Sequence, residues 1–299
     1  MLVNGVWQKT NPLNQKGAFK RPSSSFRQWP ELSAIKDEPK RYCLFVSKAC
    51  PWAHRALIFM RLKGLEHVIQ VHEVKPYMAD NGWELKHQLK SIGAKYLHEL
   101  YTHTDTKYTG KVTVPTLWDT KALKVVNNES ADIIEMLNDD WNAHAKHPRL
   151  DLMPEHIRAQ REAKNQWIYE NINNAVYRTG FASTQAVYEK ECKQLFQALD
   201  ALDASLHGQY LFGDQLCDTD IRLFTTLIRF DAVYVGHFKC NLRLIREYSK
   251  LYPYMIRLYN QVKGTVDIAE IKAHYYQSHP WINPNQIIAL SIDPCITGG

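Results

Sequence analysis

"FVSKACPWAHRALIFMRLKG", residues 45–64, hands a single cysteine from the end of an apolar run to the first turn of an amphipathic helix. The run Arg41–Ser47 is rich in strand formers and predicts a β-strand. Pro51 suits the first helical position, where its missing N–H costs nothing. Ala53, Ala56, Leu57 and Met60 make an i, i+3, i+4, i+7 stripe through about Leu62, and Gly64 supplies the stop. His67–Val74 reads as a second strand, parallel to the first because a helix joins the two. A thiol at this turn faces unpaired backbone N–H groups and the positive end of the helix dipole, which favours the thiolate. Ala53 stands where a C-x-x-C motif would carry its second cysteine. An oxidised Cys50 therefore needs an outside thiol, which implies a mixed disulfide with a small thiol co-substrate.

The segments KVTVPTLWD (111–119) and LKVVNNESADIIEML (123–137) read as a strand pair around a turn at Thr120–Ala122, followed by a helix that Asn128–Glu129–Ser130 opens and that runs through Met136. The order β-α-β, insertion, β-β-α predicts a thioredoxin-like α/β N-terminal domain over residues 41–138, with a polar, irregular insertion at 75–110. Residues 1–40, with four prolines and a Ser23–Ser25 run, read as a loop-like extension. Residues 139–153 read as a linker. Long helical patterns at 154–178, 185–206, 219–235 and 244–262 predict an all-helical domain over 154–299, ending in a tail. Val114–Pro115 opens a strand, so it is either a cis bond that leaves the Val114 backbone to an extended peptide or an ordinary edge-strand proline. Glu129–Ser130 either binds a carboxylate or ammonium at the helix start or simply caps it. His54, four residues after Cys50, is either half of a Cys–His pair or a solvated or capping first-turn residue.

The composition narrows the function. Of 299 residues, 45% are hydrophobic and 23% charged, as in a soluble globular chain large enough for two domains. No apolar run approaches the roughly 18 residues that span a bilayer, and the first residues lack a secretory signal's apolar core. The formal charge of +6 comes from 37 basic and 31 acidic residues that are interspersed, so nothing points to nucleic acid or a membrane. Six scattered cysteines fit neither a disulfide framework nor a metal site, and a reducing, cytoplasmic setting is expected. Cys43 reads as a packed strand cysteine.

Taken together, CPWAHR, NGWEL, KVTVPTLWD, VNNESADII, YLFGDQLCDTDIRLFTTLIRFDAVYVGHFKCN and HYYQSHPWINP resemble the Xi-class glutathione transferases, the glutathionyl-hydroquinone reductases, from about Gly17 to Pro284. The resemblance implies the glutathione transferase fold and a homodimer. It also implies glutathione as co-substrate, with no metal, and a reaction in which a second glutathione removes the first from a glutathionyl-hydroquinone. By the same resemblance Cys50 is the nucleophile, and Trp83, Lys111, Val112, Thr113, Val114, Glu129 and Ser130 hold glutathione. Tyr177 exchanges a proton with the departing hydroquinone, while Tyr234 and a tyrosine of HYY hydrogen-bond near the Cys50 sulfur.

Periodicity agrees only in part with those roles. Asn173, Asn174 and Tyr177 give one helix side a polar face suited to a cleft wall. Tyr234 extends the stripe of Leu223, Leu227 and Phe230 and by itself reads as a core residue. Ile268, Ile271 and Tyr275 form the apolar stripe of the last helix. Tyr276, turned roughly 100° away, is accordingly the tyrosine assigned to the cleft. One departure is Cys217, paired with Asp220, where transferases of this fold usually carry Ser or Thr as a helix cap. A thiol accepts hydrogen bonds poorly, so the helix start is expected to be less firm. Two other functions stand beside this one. An Omega-like thioltransferase or dehydroascorbate reductase would use the same Cys50 and glutathione site on disulfides. A non-catalytic transferase-fold binding module needs no thiolate at the turn, so Cys50 and Glu129–Ser130 argue against it.

Overall fold

An Asn4–Gly5 turn folds the first residues into a small hairpin, β1 (Leu2–Val3) antiparallel to β2 (Val6–Trp7), and a short helix α1 follows at Leu32–Asp37. Both turn residues have positive φ, 47° and 76°, the geometry that Asn-Gly favours. This corrects the reading of residues 1–40 as loop. The Asn-Gly signal is present in the sequence, but strands of two residues have no periodicity to detect. The computed structural model describes residues 1–9 and 23–290. Two compact units divide them, residues 1–9 with 23–151, and residues 152–290. The part of the extension at 10–22, and Cys295 with the end of the tail, lie outside the described residues.

In the first unit β3 (Tyr42–Val46) is buried at every position, as a central strand covered on both faces should be. It leads through α2 (Pro51–Lys63) to β4 (Gln70–Glu73), which pairs parallel to it. Gly64 ends α2 in the left-handed conformation, φ 69°, where a side chain would be strained. The segment 75–110 is not irregular. It holds an antiparallel pair, β5 (Glu84–Leu89) and β6 (Ala94–Tyr96), and the helix α3 (Leu97–Thr104). The pair escapes periodicity because Leu85 and Ala94 are the only residues it buries. In the eight residues of α3, Leu97, Leu100 and Tyr101 make a single short stripe. β7 (Thr116–Asp119) pairs antiparallel with β3 and with β8 (Lys124–Asn127), giving the sheet order β4-β3-β7-β8. The helix α4 (Ser130–Asn138) closes the unit and packs against α2. The thioredoxin-like expectation holds.

The second unit is helical, as expected, but its long helices are interrupted. Between α5 (Arg158–Ile168) and α6 (Ala175–Gly180) lies a π-helical turn, Tyr169–Asn173, marked by the bond from Asn174 N–H to Tyr169 C=O. After α7 (Gln185–Ser205), α8 (Asp218–Arg229) passes into a second π turn, Phe230–Tyr234. Such single-turn expansions recur at functional sites. The expected helix at 244–262 breaks in two. Ile245–Glu247 is one 3₁₀ turn with its first N–H groups held by Asp231, and α9 (Leu251–Val262) starts where Asp203 accepts from Lys250 and Leu251 N–H. The last helix is α10 (Ile268–Ser278), capped by Asp267.

Candidate functional site

Cys50 is the N-cap of α2, and Pro51 takes the first helical position. Its Sγ donates to the Val114 carbonyl at 3.4 Å, and its own carbonyl accepts the His54 N–H at 3.0 Å. Among the five described cysteines it is the only one not buried. Burial pushes the thiols of Cys43 and Cys217 up to about 12 and raises those of Cys192 and Cys240. Those four stay protonated near neutrality. His54 is fully buried rather than solvated.

The Val114–Pro115 bond is cis. The backbone before it is held from behind by Tyr101, a buried residue of α3. The Tyr101 hydroxyl donates to Thr113 C=O at 3.0 Å and accepts from Asn128 Nδ2 at 3.2 Å. Asn128 also receives the Phe26 N–H through Oδ1 at 3.1 Å and donates its own N–H to Phe26 C=O at 2.9 Å. One polar network therefore joins the Lys111–Val114 segment, the start of α4 and the N-terminal extension. Sequence periodicity gives no sign that Tyr101 and Asn128 meet, since a buried phenol looks like any core aromatic.

Glu129 is the N-cap of α4. Its carboxylate accepts the Ala131 N–H at 3.1 Å and the Ser24 hydroxyl at 2.8 Å. Ser130, the first helical residue, is buried and points its hydroxyl at the same carboxylate, 3.5 Å away. The capping alternative is thus realised, and the carboxylate retains lone pairs for a further donor. Arg27 reinforces the turn by donating to Asp132 at 2.8 Å. Trp83 is buried immediately before β5, its carbonyl accepting the Leu97 N–H at 2.9 Å.

In the second unit three tyrosine hydroxyls meet. Tyr275 lies 2.7 Å from Tyr177 and 3.1 Å from Tyr234, oxygen to oxygen. Burial raises Tyr234 and Tyr275 well above the ordinary phenol range, with the buried Arg229 guanidinium working against it. Both remain neutral donors at physiological pH. Tyr276 is not in this cluster. Its hydroxyl engages the His237 backbone, and a Cβ on Gly236 would come within 2.7 Å of it. The stripe that places Tyr275 in the core is right about its ring, which is 2% exposed, and silent about its hydroxyl. Asn173 is also no cleft wall. It is buried in the π turn and donates to Thr226 Oγ1 at 2.7 Å and Arg222 C=O at 3.0 Å, tying that turn to α8. Cys217 caps α8 with Asp220, which accepts the Cys217 N–H at 3.0 Å and its thiol at 3.3 Å. Among the described residues no group of three or more His, Cys, Asp or Glu is placed to hold a metal ion.

Comparison with known proteins gives a consistent picture. Residues 49–140 match the family described as Glutathione S-transferase, N-terminal domain, and residues 185–257 match Glutathione S-transferase, C-terminal domain. Glutathionyl-hydroquinone reductase PcpF of Sphingobium chlorophenolicum is 43% identical over 96% of this chain and 95% of its own. Glutathione S-transferase omega-like 2 of Schizosaccharomyces pombe is 44% identical over 95% of this chain and 96% of its own. The solved Xi-class transferase of Natrialba magadii superposes with a TM-score of 0.89 at 40% identity, covering 98% of this chain and 94% of that one.

Proposed function

We propose that this chain, which belongs to the glutathione transferases and within them to the Xi class, works as a glutathionyl-hydroquinone reductase through Cys50. It is an enzyme of that type, and the single observation that carries the role of Cys50 is its exposure at the start of α2 while every other described cysteine is buried. The thiolate attacks the sulfur of the glutathionyl-hydroquinone, forming a Cys50–glutathione disulfide as the carbon–sulfur bond breaks. The electron pair of that bond goes to the aromatic carbon, which takes a proton. A second glutathione thiolate then attacks the glutathionyl sulfur, releasing glutathione disulfide and the Cys50 thiolate. Atoms and electrons balance without a metal or a redox cofactor.

Glutathione is read as held by the backbone of Lys111, Val112, Thr113 and Val114, by Trp83, and by its γ-glutamyl end at Glu129 and Ser130. Support comes from the carboxylate and hydroxyl at the head of α4 and from the network that fixes both segments to Tyr101. Tyr177 is assigned the proton that the departing hydroquinone carbon receives. Tyr275, rather than Tyr276, is its partner, because the hydroxyls of Tyr275 and Tyr177 are hydrogen-bonded. No helix among the described residues is long and apolar enough to cross a membrane. A reducing cytoplasm and a homodimer complete the reading.

Thioltransfer by the same cysteine is the second reading, favoured by the Omega-like relative. Trapping experiments address Cys50 itself. Wild type quenched during turnover should carry glutathione on Cys50, while Cys50→Ala should be inactive and Cys43→Ala should keep most activity. Near-normal rates in Cys50→Ala would remove the nucleophile from the account.

A further inference from the structure

We infer that the N-terminal hairpin, acting through Trp7, positions the loop that carries Trp83 and so sets the affinity for glutathione. The inference rests on the reading of Trp83 and Lys111–Val114 as glutathione residues. Trp7 Nε1 donates to Asp80 C=O at 2.8 Å. Its ring stacks on His98, centroids 4.9 Å apart and 16° from parallel, and His98 in turn stacks with Tyr96, centroids 5.5 Å apart. The ring also lies against Gly82, the residue before Trp83, where a Cβ would come within 2.7 Å of two ring carbons. Gly82 has φ +75° and donates to Ala79 C=O, closing a tight turn that the indole covers.

The same hairpin grips the other segment. Leu2 and Gly110 exchange two backbone hydrogen bonds of 2.9 and 3.0 Å, Gly5 N–H reaches Tyr108 C=O at 3.0 Å, and Asn4 N–H reaches Thr109 Oγ1 at 2.9 Å. Tyr108 then passes the connection on, its hydroxyl donating to Lys111 C=O at 3.1 Å. The fit at Gly5 is close enough that a Cβ would lie 2.0 Å from Thr106 O. A hairpin of two-residue strands has no stability of its own in water. It is held by these two loops, and by the same contacts it holds them. Loops fixed in their bound shape lose less entropy when a ligand arrives, so the contribution appears in affinity rather than in the chemical step.

The test uses the full chain and four variants, with KM for glutathione, kcat and a thermal melt for each. Trp7→Ala should raise the KM for glutathione about tenfold, the scale of one lost hydrogen bond, with kcat within about twofold of wild type. Trp7→Phe keeps the ring against His98 and Gly82 and should raise KM by about threefold, and it carries the test if Trp7→Ala does not fold. Trp83→Ala should raise KM, and adding Trp7→Ala to it should raise KM by less than Trp7→Ala does alone, because the first loop then has no Trp83 to position and only the hold on Lys111–Val114 is left to lose. A purely structural role predicts the same additional loss in both backgrounds, and that result, or an unchanged KM in Trp7→Ala or Trp7→Phe, overturns the inference. An unchanged KM in Trp83→Ala overturns the glutathione assignment itself, and the inference with it.

Discussion

The hydroxyl of Tyr275 hydrogen-bonds to that of Tyr177 at 2.7 Å, with Tyr234 3.1 Å away on its other side. A phenol has one proton to donate. If Tyr177 gives its proton to a substrate, Tyr275 is within reach to donate to the phenolate left behind, and Tyr234 to donate to Tyr275. Burial keeps Tyr234 and Tyr275 protonated, as this relay requires.

Cleaving a carbon–sulfur bond needs a proton for the aromatic carbon, whereas cleaving a disulfide releases a stable thiolate. General acid assistance contributes about 10²–10⁴-fold. Tyr177→Phe should lower glutathionyl-hydroquinone reduction by that order and leave disulfide exchange nearly intact. Tyr275→Phe, which removes the hydroxyl that pairs with both Tyr177 and Tyr234, should cost about tenfold on the same substrate. Tyr276→Phe should cost little in either assay. Equal losses on both substrates in Tyr177→Phe would defeat its role as proton donor, and a melt of each variant would expose lost packing.

Brief treatment with iodoacetamide at neutral pH should label Cys50 ahead of Cys43, Cys192, Cys217 and Cys240. The sign comes from burial, which raises those four thiols and keeps them in the unreactive neutral form until the pH approaches their elevated values. Peptide mapping by mass spectrometry reads the order directly. Glutathione present during labelling should protect Cys50.

Ser130→Ala should raise the KM for glutathione, losing a hydrogen bond to a charged group worth about 1.5–3 kcal/mol. Tyr101→Phe should raise the same KM less, because it loosens the Thr113 carbonyl without touching the ligand. A lowered kcat with unchanged KM in Ser130→Ala would assign that residue to catalysis or folding instead.

Cys217→Ser tests the unusual cap of α8. Serine hydroxyls accept backbone hydrogen bonds better than thiols, and good caps contribute about 1 kcal/mol. The variant should melt a few degrees higher than wild type with kcat unchanged. A lower melting temperature would mean that the buried sulfur's packing outweighs the cap.

The sheet and the Cys50 turn are legible in the sequence because β3 is apolar throughout and α2 carries both a start signal and a stop signal. The Asn4–Gly5 hairpin, the β5–β6 pair and α3 escape detection because short elements bury too few residues to establish a period. The π turns at Tyr169–Asn173 and Phe230–Tyr234 have no marker in residue spacing, yet each shifts the register of the residues C-terminal to it. Tyr275 illustrates the limit most clearly. Periodicity reports which side of a helix is buried, but a buried tyrosine can still present a hydroxyl to a polar cluster. Ser24 could not be linked to Glu129 from sequence, since 105 residues separate the partners.

The most direct measurement compares kcat/KM for a glutathionyl-hydroquinone and for a glutathione mixed disulfide, with glutathione as reductant, in wild type and in Tyr177→Phe. The account predicts efficient turnover of the thioether by wild type, release of hydroquinone and glutathione disulfide in equal amounts, and a loss in the variant confined to the thioether. Turnover of the disulfide alone, or no hydroquinone released, would contradict it and leave thioltransfer as the activity of Cys50.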